Sequence, residues 1–358
     1  MRSHPDIGPG AALSVTAPDK TPTLSTTRPQ SAPALLVWSA LAVVYVFWGS
    51  TYFGIRIVAE RMPPLGAAGL RFVSAGVILA VFVALRGGLG ALRVRPRQLA
   101  ASALVGLLLL TGGNGFVTTA ESPRFGLPSG VAALLIALTP LLLVGLRAAT
   151  GDRPRLMTVV GIAVGLAGLV VLFAPGLGED GAHAIPVVGG LLILLAVIAW
   201  GVGSFATRWL PLPANPFVAS VYEMLAGGVA LAIIAMVRGE PGWWAWPSAP
   251  AEAWLALGYL VVAGSLLGYT AYVWLLHHAP ISLASTYAYV NPVIALALGA
   301  IFLSEPMTPP VLLSAATVLI GVALVVSTER NTNRNPGRSP RVVATAPPGS
   351  DGHESDQA

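Results

Sequence analysis

FWGSTYFGIR, residues 47–56, and AWGVGSFATR, residues 199–208, carry Trp, Gly, Phe and Arg at the same spacing inside two apolar segments. The step from Trp48 to Trp200 is 152 residues, and so is the step from Arg56 to Arg208. The same offset lays LRFVSAGVILA, from Leu70, over YEMLAGGVALA, from Tyr222, so that Arg71 falls on Glu223 and Gly76 on Gly228. Pro64 meets Pro216, Pro128 meets Pro280 and Pro140 meets Pro292. Beyond them the offset becomes 153, pairing Asp152 with Glu305 and Gly168 with Gly321. A register held from Trp48 to Gly168 marks an internal duplication, even in sequence rich in Ala and Leu.

Hydrophobic residues make up 55% of the 358 and charged residues 10%, with a mean hydropathy of +0.76. That is too little charge to cover a water-soluble surface of this size, which makes the bilayer the solvent. A helix needs roughly 20 residues to cross about 30 Å of hydrocarbon. Apolar runs of that length fall near 36–58, 65–85, 98–118, 127–148, 156–174, 186–207, 216–237, 252–275, 281–303 and 309–327. The predicted fold is an all-α integral membrane protein of ten transmembrane helices. Each copy holds five, an odd number, so the second enters the membrane from the opposite face: two inverted five-helix repeats. Secondary transporters recurrently use that plan, with the solute site near the midplane between the halves.

The formal charge of +5 and pI near 9.9 are explained by topology. Fifteen of the twenty Lys and Arg, including Lys20, Arg86, Arg93, Arg95, Arg97, Arg147, Arg208 and Arg330, fall on segments sharing one face, against Arg56, Arg61, Arg124 and Arg238 on the other. The positive-inside rule then puts both termini in the cytoplasm, and no nucleic-acid partner is expected. The Pro-, Ser- and Thr-rich start and the Arg- and Pro-bearing end read as disordered tails. The first apolar run lacks a cleavage pattern and reads as a retained helix. Without Cys there is no disulfide framework. The excess of Arg over Lys leans toward a bacterial inner membrane.

The chain resembles the EamA-type ten-helix permeases of the drug/metabolite transporter superfamily, in particular the inner-membrane drug/metabolite or amino-acid exporter subgroup. The resemblance is carried by WGSTYFGIR (48–56), RFVSAG (71–76), GNGFVTTAE (113–121), PSGVAALL (128–135), and TYAYVNPV with LSEPMT within 286–308. It covers 36–327 and implies ten helices, cytoplasmic termini and export of small metabolites by a secondary mechanism, without fixing the solute. On this basis the chain divides into a first EamA-type repeat at 35–175 and a second at 185–328, between tails at 1–34 and 329–358. Asp152 departs from the Glu that many first repeats of the family carry. Both Asp152 and Glu305 read as loop acids beside the positive end of a following helix.

Ionisable groups inside hydrocarbon cost about 2.5–3.5 kcal/mol on insertion scales, so Arg71 and Glu223 need reasons. Each lies seven residues past its helix-entry proline, about 10 Å along the axis at 1.5 Å per residue, but the two helices enter from opposite faces. No direct ion pair is expected. Arg71 reads either as a proton-coupling or gating group or as a side chain long enough to snorkel toward the outer interface. Glu223 is not, and reads either as a group for proton coupling or solute contact or as a structural hydrogen-bonded acid. Glu121, at the outer end of the third helix, reads either as solvated or as a gate or proton-entry group.

Asn114, Thr118 and Glu121 share one helix face at i, i+4 and i+7, a polar stripe suited to a cavity wall. Trp48 and Trp200 lie well inside their helices, and Tyr269, Tyr272, Tyr287 and Asn291 add further polar and aromatic groups at depth. Together with Asn114 and Thr118 they are the substrate-binding candidates. An aromatic wall suits an amphipathic organic solute, including a cationic one through cation–π attraction, and helix packing is the competing reading. Trp243, Trp244 and Trp246 read as interfacial anchors. Pro140 and Pro292 fall inside matched helices and are candidate hinges, since each removes a backbone bond. Gly161, Gly165 and Gly168 have packing spacing, either within the bundle or at a homodimer seam.

Enzymatic chemistry is not expected. His4, His183, His277, His278 and His353 lie in tails or loops, and no HExxH, GxSxG or Walker pattern occurs. No cofactor or metal is expected, and the expected partners are a small-molecule substrate and the lipid bilayer. An uptake permease of the same fold, a channel and a lipid flippase are the alternatives.

Overall fold

The computed structural model describes residues 33–151, 155–173, 186–241, 246 and 248–334, and every regular element among them is helical. In chain order the main helices are α1 (Ala34–Arg61), α2 (Pro64–Gly87), α3 (Pro96–Glu121) and α4 (Ser129–Ala149); α5 (Leu156–Phe173); α6 (Val187–Ala206), α7 (Pro216–Val237) and α8 (Ala251–His278); α9 (Tyr287–Leu303) and α10 (Pro309–Arg334). Seven of them, α1 to α4 and α6 to α8, are long and apolar enough to cross a membrane, while the apolar stretches of α5, α9 and α10 are shorter. Three expectations change. His277 and His278, expected in a loop, are the last two residues of α8. The segment expected at 281–303 is split into one turn, Ile281–Ala284, and α9, and α10 runs to Arg334, past the point where a disordered tail was expected. Asp152, Arg153, Trp243, Trp244 and most of both tails lie outside the described residues.

Prolines at the first helical position start α2, α3, α7 and α10, where a missing N–H costs nothing. Packing between helices rests on glycine. A Cβ on Gly69 would lie 2.9 Å from Ala232 N, and one on Gly228 would lie 2.7 Å from Val73 N, so α2 and α7 touch backbone to backbone. The Gly161, Gly165 and Gly168 stripe of α5 faces Gly321 and Val318 of α10, and Ser314 Oγ donates to Gly168 O at 2.8 Å. The stripe is filled within the chain, so it supplies no argument for a homodimer seam. Gly49 lies against Ile294 and Gly201 against Leu142, with a Cβ falling 2.9 Å and 2.6 Å from those side chains. The partners are themselves 152 residues apart, so each copy makes on the other the contact it receives.

Three stretches wind as π-helix: Val44–Trp48 in α1, Leu107–Asn114 in α3 and Leu260–Tyr269 in α8. The second and third stand at nearly matched positions of the two copies. Wider turns leave carbonyls displaced from the helical ladder, a feature concentrated at functional sites; here Gly264 O accepts from Trp48 Nε1 at 3.1 Å. The two candidate hinge prolines are placed differently. Pro292 is inside α9. α4 is interrupted at Ala137 and Leu138, and Pro140 is the second residue of the segment that follows, where it removes no needed bond.

Candidate functional site

α1, α2, α3, α4, α6, α8 and α9 converge on a deep pocket of about 50 Å³ whose lining includes Trp48, Tyr52, Arg71, Asn114, Trp200, Tyr269 and Tyr287, none of it exposed. The two tryptophans meet at its wall: their ring centroids are 5.3 Å apart, edge to face. Glycines make the room, since a Cβ on Gly113 would fall 2.7 Å from the Trp200 ring and one on Gly268 would fall 2.6 Å from the Trp48 ring. Tyr287 packs edge-on to Trp48 at 5.2 Å. Edge-to-face pairs of this kind add about 0.5–1.5 kcal/mol each beyond area burial.

A larger vestibule of about 400 Å³ lies on one side of this pocket, lined by Ser204, Arg208, Glu223, Val273 and His277 among others. It reaches the surface at Arg208, Ala214 and His277, which are exposed. Two hydrogen-bonded links separate vestibule from pocket. Tyr269 O–H, on the pocket side, donates to Glu223 Oε2, on the vestibule side, at 2.8 Å. Trp200 Nε1 donates to Tyr272 O–H at 3.3 Å, and that hydroxyl is 2.8 Å from Ser204 Oγ. Glu223 is held at this boundary by close helix approach, because Gly106 of α3 packs directly on its backbone carbonyl.

The opposite end is closed. Arg56 Nε bonds Glu60 Oε1 at 2.5 Å, and Arg56 Nη1 donates to the carbonyls of Glu121 and Leu127 at 2.9 and 3.1 Å. Glu305 accepts from Ser129 N at 2.7 Å and Gly130 N at 3.1 Å, and Glu240 Oε2 accepts from Leu65 N at 3.1 Å and Gly66 N at 2.9 Å. These acids cap helix starts that have only Pro63 and Pro128 at the N-cap and no cap side chain of their own. Ser304, in the left-handed region at φ 53°, turns the chain so that Glu305 faces α4 rather than only its own following helix. Arg61 adds a 2.6 Å ion pair with Glu252.

The structure brings Trp48, Asn114, Trp200, Tyr269, Tyr287 and Arg71 to the deep pocket. Thr118 lines a smaller side pocket with Arg71, Val58 and Pro64. Tyr272 packs between the tryptophans, with ring centroids at 4.9 and 5.5 Å, and does not line the deep pocket. Asn291 is also off it: its buried amide, oriented to donate, reaches Tyr287 O and Tyr45 O and ties α9 to α1. Arg71 does not snorkel; it is 5% exposed, because Ser265 holds its Nε from α8. Glu121 is not solvated; it is fully buried, and neither carboxyl oxygen has a hydrogen-bond partner among the described residues. Glu305 is not only a loop charge, as its two bonds to α4 show. Trp246 is buried at 9% against Gly66 and donates to Pro241 O, because its ring fills the α2 entry. Sequence reasoning missed Ser265 and Glu240; Ser265 is a lone polar residue in an apolar run, while Glu240 lies in a Gly- and Pro-bearing turn beside Arg238 that gives no such signal.

A helical bundle long enough to span a bilayer, enclosing an aromatic pocket between one closed and one open end, defines an integral membrane transporter. The chain belongs to the EamA-like transporter family, whose model matches residues 36–174 and 187–327. It is 40% identical over 292 residues, 81% of this chain and 90% of the relative, to an Escherichia coli K12 protein named "Uncharacterized inner membrane transporter YedA". It is 29% identical over 81% of the chain and 92% of the relative to the "Probable terminal-alkyne amino-acid exporter" of Streptantibioticus cattleyicolor. It is 27% identical over 79% and 92% to the "Probable amino-acid metabolite efflux pump" of Escherichia coli K12. A solved crystal structure superposes with a TM-score of 0.59 over 83% of this chain and 98% of that one, at 24% identity, which is a likeness of fold.

Proposed function

We propose that the protein is a secondary active transporter that exports small amino-acid-like or drug-like organic metabolites by alternating access between the Arg208 end and the Arg56 end. The observation that carries this reading is the pair of unequal cavities. A vestibule reaching the surface at Arg208 stops at the Glu223–Tyr269 link, and the aromatic pocket behind it is sealed toward Arg56. The reciprocal Gly49–Ile294 and Gly201–Leu142 contacts support two inverted five-helix repeats, hence ten crossings. The distribution of Arg supports a cytoplasmic Arg208 end and cytoplasmic termini. Export, rather than uptake, is supported by the names of two relatives.

In this reading Trp48, Asn114, Trp200, Tyr269 and Tyr287 contact the solute, with Thr118 beside Arg71, while Tyr272 and Asn291 brace the wall. Glu223 is the coupling group, since it stands between pocket and vestibule. Glu121 and the Arg56 network gate the other end, and Pro292 serves as the hinge. Glu223→Gln, reconstituted in vesicles, is expected to abolish or uncouple flux of a solute found by an efflux screen while leaving the protein folded. Full pH-dependent transport by that variant overturns the coupling role. Flux that is neither saturable nor gradient-coupled favours a channel instead.

A further inference from the structure

Arg71 is buried in α2, two turns past its first residue Pro64, and lines both the deep pocket and the side pocket. Its Nε donates to Ser265 Oγ at 2.9 Å, and its Cζ stands 4.6 Å from the Phe72 ring centroid. The four N–H donors on its two terminal nitrogens have no hydrogen-bond partner among the described residues, and no carboxylate there pairs with it. The acids within the bundle are turned elsewhere. Glu223 accepts from Tyr269, and the charged groups that face Glu121 are Glu305, Arg56 and Glu60. The guanidinium has nonetheless been given space, because a Cβ on Gly264 would fall 2.6 Å from Nη2. The π-helical stretch of α8 therefore supplies both the anchor for Nε and the gap for the fork. A guanidinium withdrawn from water without a counter-ion is unfavourable, and such a group is kept in a membrane bundle where function needs it.

We propose that Arg71 is the anion subsite of the deep pocket, taking the carboxylate of an organic acid or zwitterion on its two terminal nitrogens. A planar fork with one nitrogen already fixed matches a carboxylate in bidentate geometry. The size agrees: about 50 Å³ holds a few water molecules, which suits a carboxylate head rather than a whole metabolite. The apolar body then lies along Trp48, Trp200 and Tyr269 toward the vestibule. The aromatic wall alone suits a cationic amphiphile as well, but a fixed guanidinium beside it repels one. This assignment rests on the transport reading for its physiological meaning, but as a binding site it is tested without transport.

The test uses the full chain in lipid nanodiscs, with intrinsic fluorescence of its nine tryptophans as the readout and Trp48→Phe and Trp200→Phe variants to locate the responding rings. Phenylacetate, phenylacetamide and phenethylamine supply the same ring with an anionic, a neutral and a cationic head. Phenylacetate is expected to bind saturably, roughly tenfold to a hundredfold more tightly than the amide, as for a hydrogen-bonded charge. Arg71→Gln is expected to erase that preference and Arg71→Lys to keep part of it. Equal or better binding of the amide or the amine by the unaltered protein overturns the proposal, and that comparison needs no variant to fold. A preference for phenylacetate that survives Arg71→Gln also overturns it. If the carboxylate preference holds while vesicles move no solute, the subsite stands and the transport reading fails.

Discussion

At the Arg56 end, two acids from the second half of the chain, Glu240 and Glu305, reach across to cap helix starts in the first half. At the Arg208 end the position matching Glu240 is Gly88, with no atom near where a side chain would stand, and the position matching Glu305 is Asp152, outside the described residues. Among the described residues no carboxylate caps a helix start across the halves at that end, where the vestibule lies. Both halves match the family model and, among the described residues, they differ in where they place carboxylates. A bond between a carboxylate and a helix N-terminus is strong and directional, so a few residues at loop tips are enough to hold the Arg56 end of the bundle closed.

The comparison breaks most sharply if the caps are removed. Glu240→Ala combined with Glu305→Ala deletes four backbone-to-carboxylate bonds, in a class worth about 1.5–3 kcal/mol each. It is expected to shift the population toward an open Arg56 end by at least tenfold. The native chain has no Cys, so single cysteines at Val58, in the side pocket, and Leu210, in the vestibule, report this directly. Maleimide labelling in detergent should rise at Val58→Cys and fall at Leu210→Cys; unchanged labelling at both removes the caps from any closing role.

A second comparison concerns the shared core. Gly49→Val and Gly201→Val each push a side chain into a matched neighbour, Ile294 or Leu142, and overpacking of this kind costs about 1–3 kcal/mol. Thermal unfolding should show similar losses for the two, and a large difference would show that the equivalence of sequence is not an equivalence of packing. Tyr269→Phe removes one hydroxyl from the boundary between pocket and vestibule, a change of about 1 kcal/mol. It is expected to leave the fold intact and to raise solute off-rates several-fold in binding kinetics. Arg208 stacks 3.9 Å from the Phe205 centroid at an exposed position, where such contacts are worth about 0.5–1 kcal/mol. Arg208→Gln should therefore produce the smallest change in melting temperature of the set.

Much of the site was legible before any coordinates. Trp48, Trp200, Tyr269 and Tyr287 stood out because polar aromatics deep inside apolar helices are expensive unless they are paired or face a cavity. The paired Trp48 and Trp200 were already in register. Less legible was the division of labour among neighbours: Tyr272 is one helical turn from Tyr269 and packs, while Tyr269 lines the pocket. The π-helical winding of α3 and α8 explains part of this, because it rotates residues off the 3.6-residue period on which face assignments depend. Asn114 and Glu121, expected on one stripe, are joined by regular α-helix and differ in depth along it, one in the pocket and the other buried behind Arg56.

By itself the sequence determined the apolar solvent, most of the helical segments and the duplication, since these follow from hydropathy, length and a constant offset. Tertiary structure decided which acids lose water and which find partners. Arg71 is anchored by Ser265, 194 residues away, and Glu305 caps Ser129, 176 residues away. A group's environment is set by whatever packs against it, and contacts at such separations leave no periodic trace in the chain.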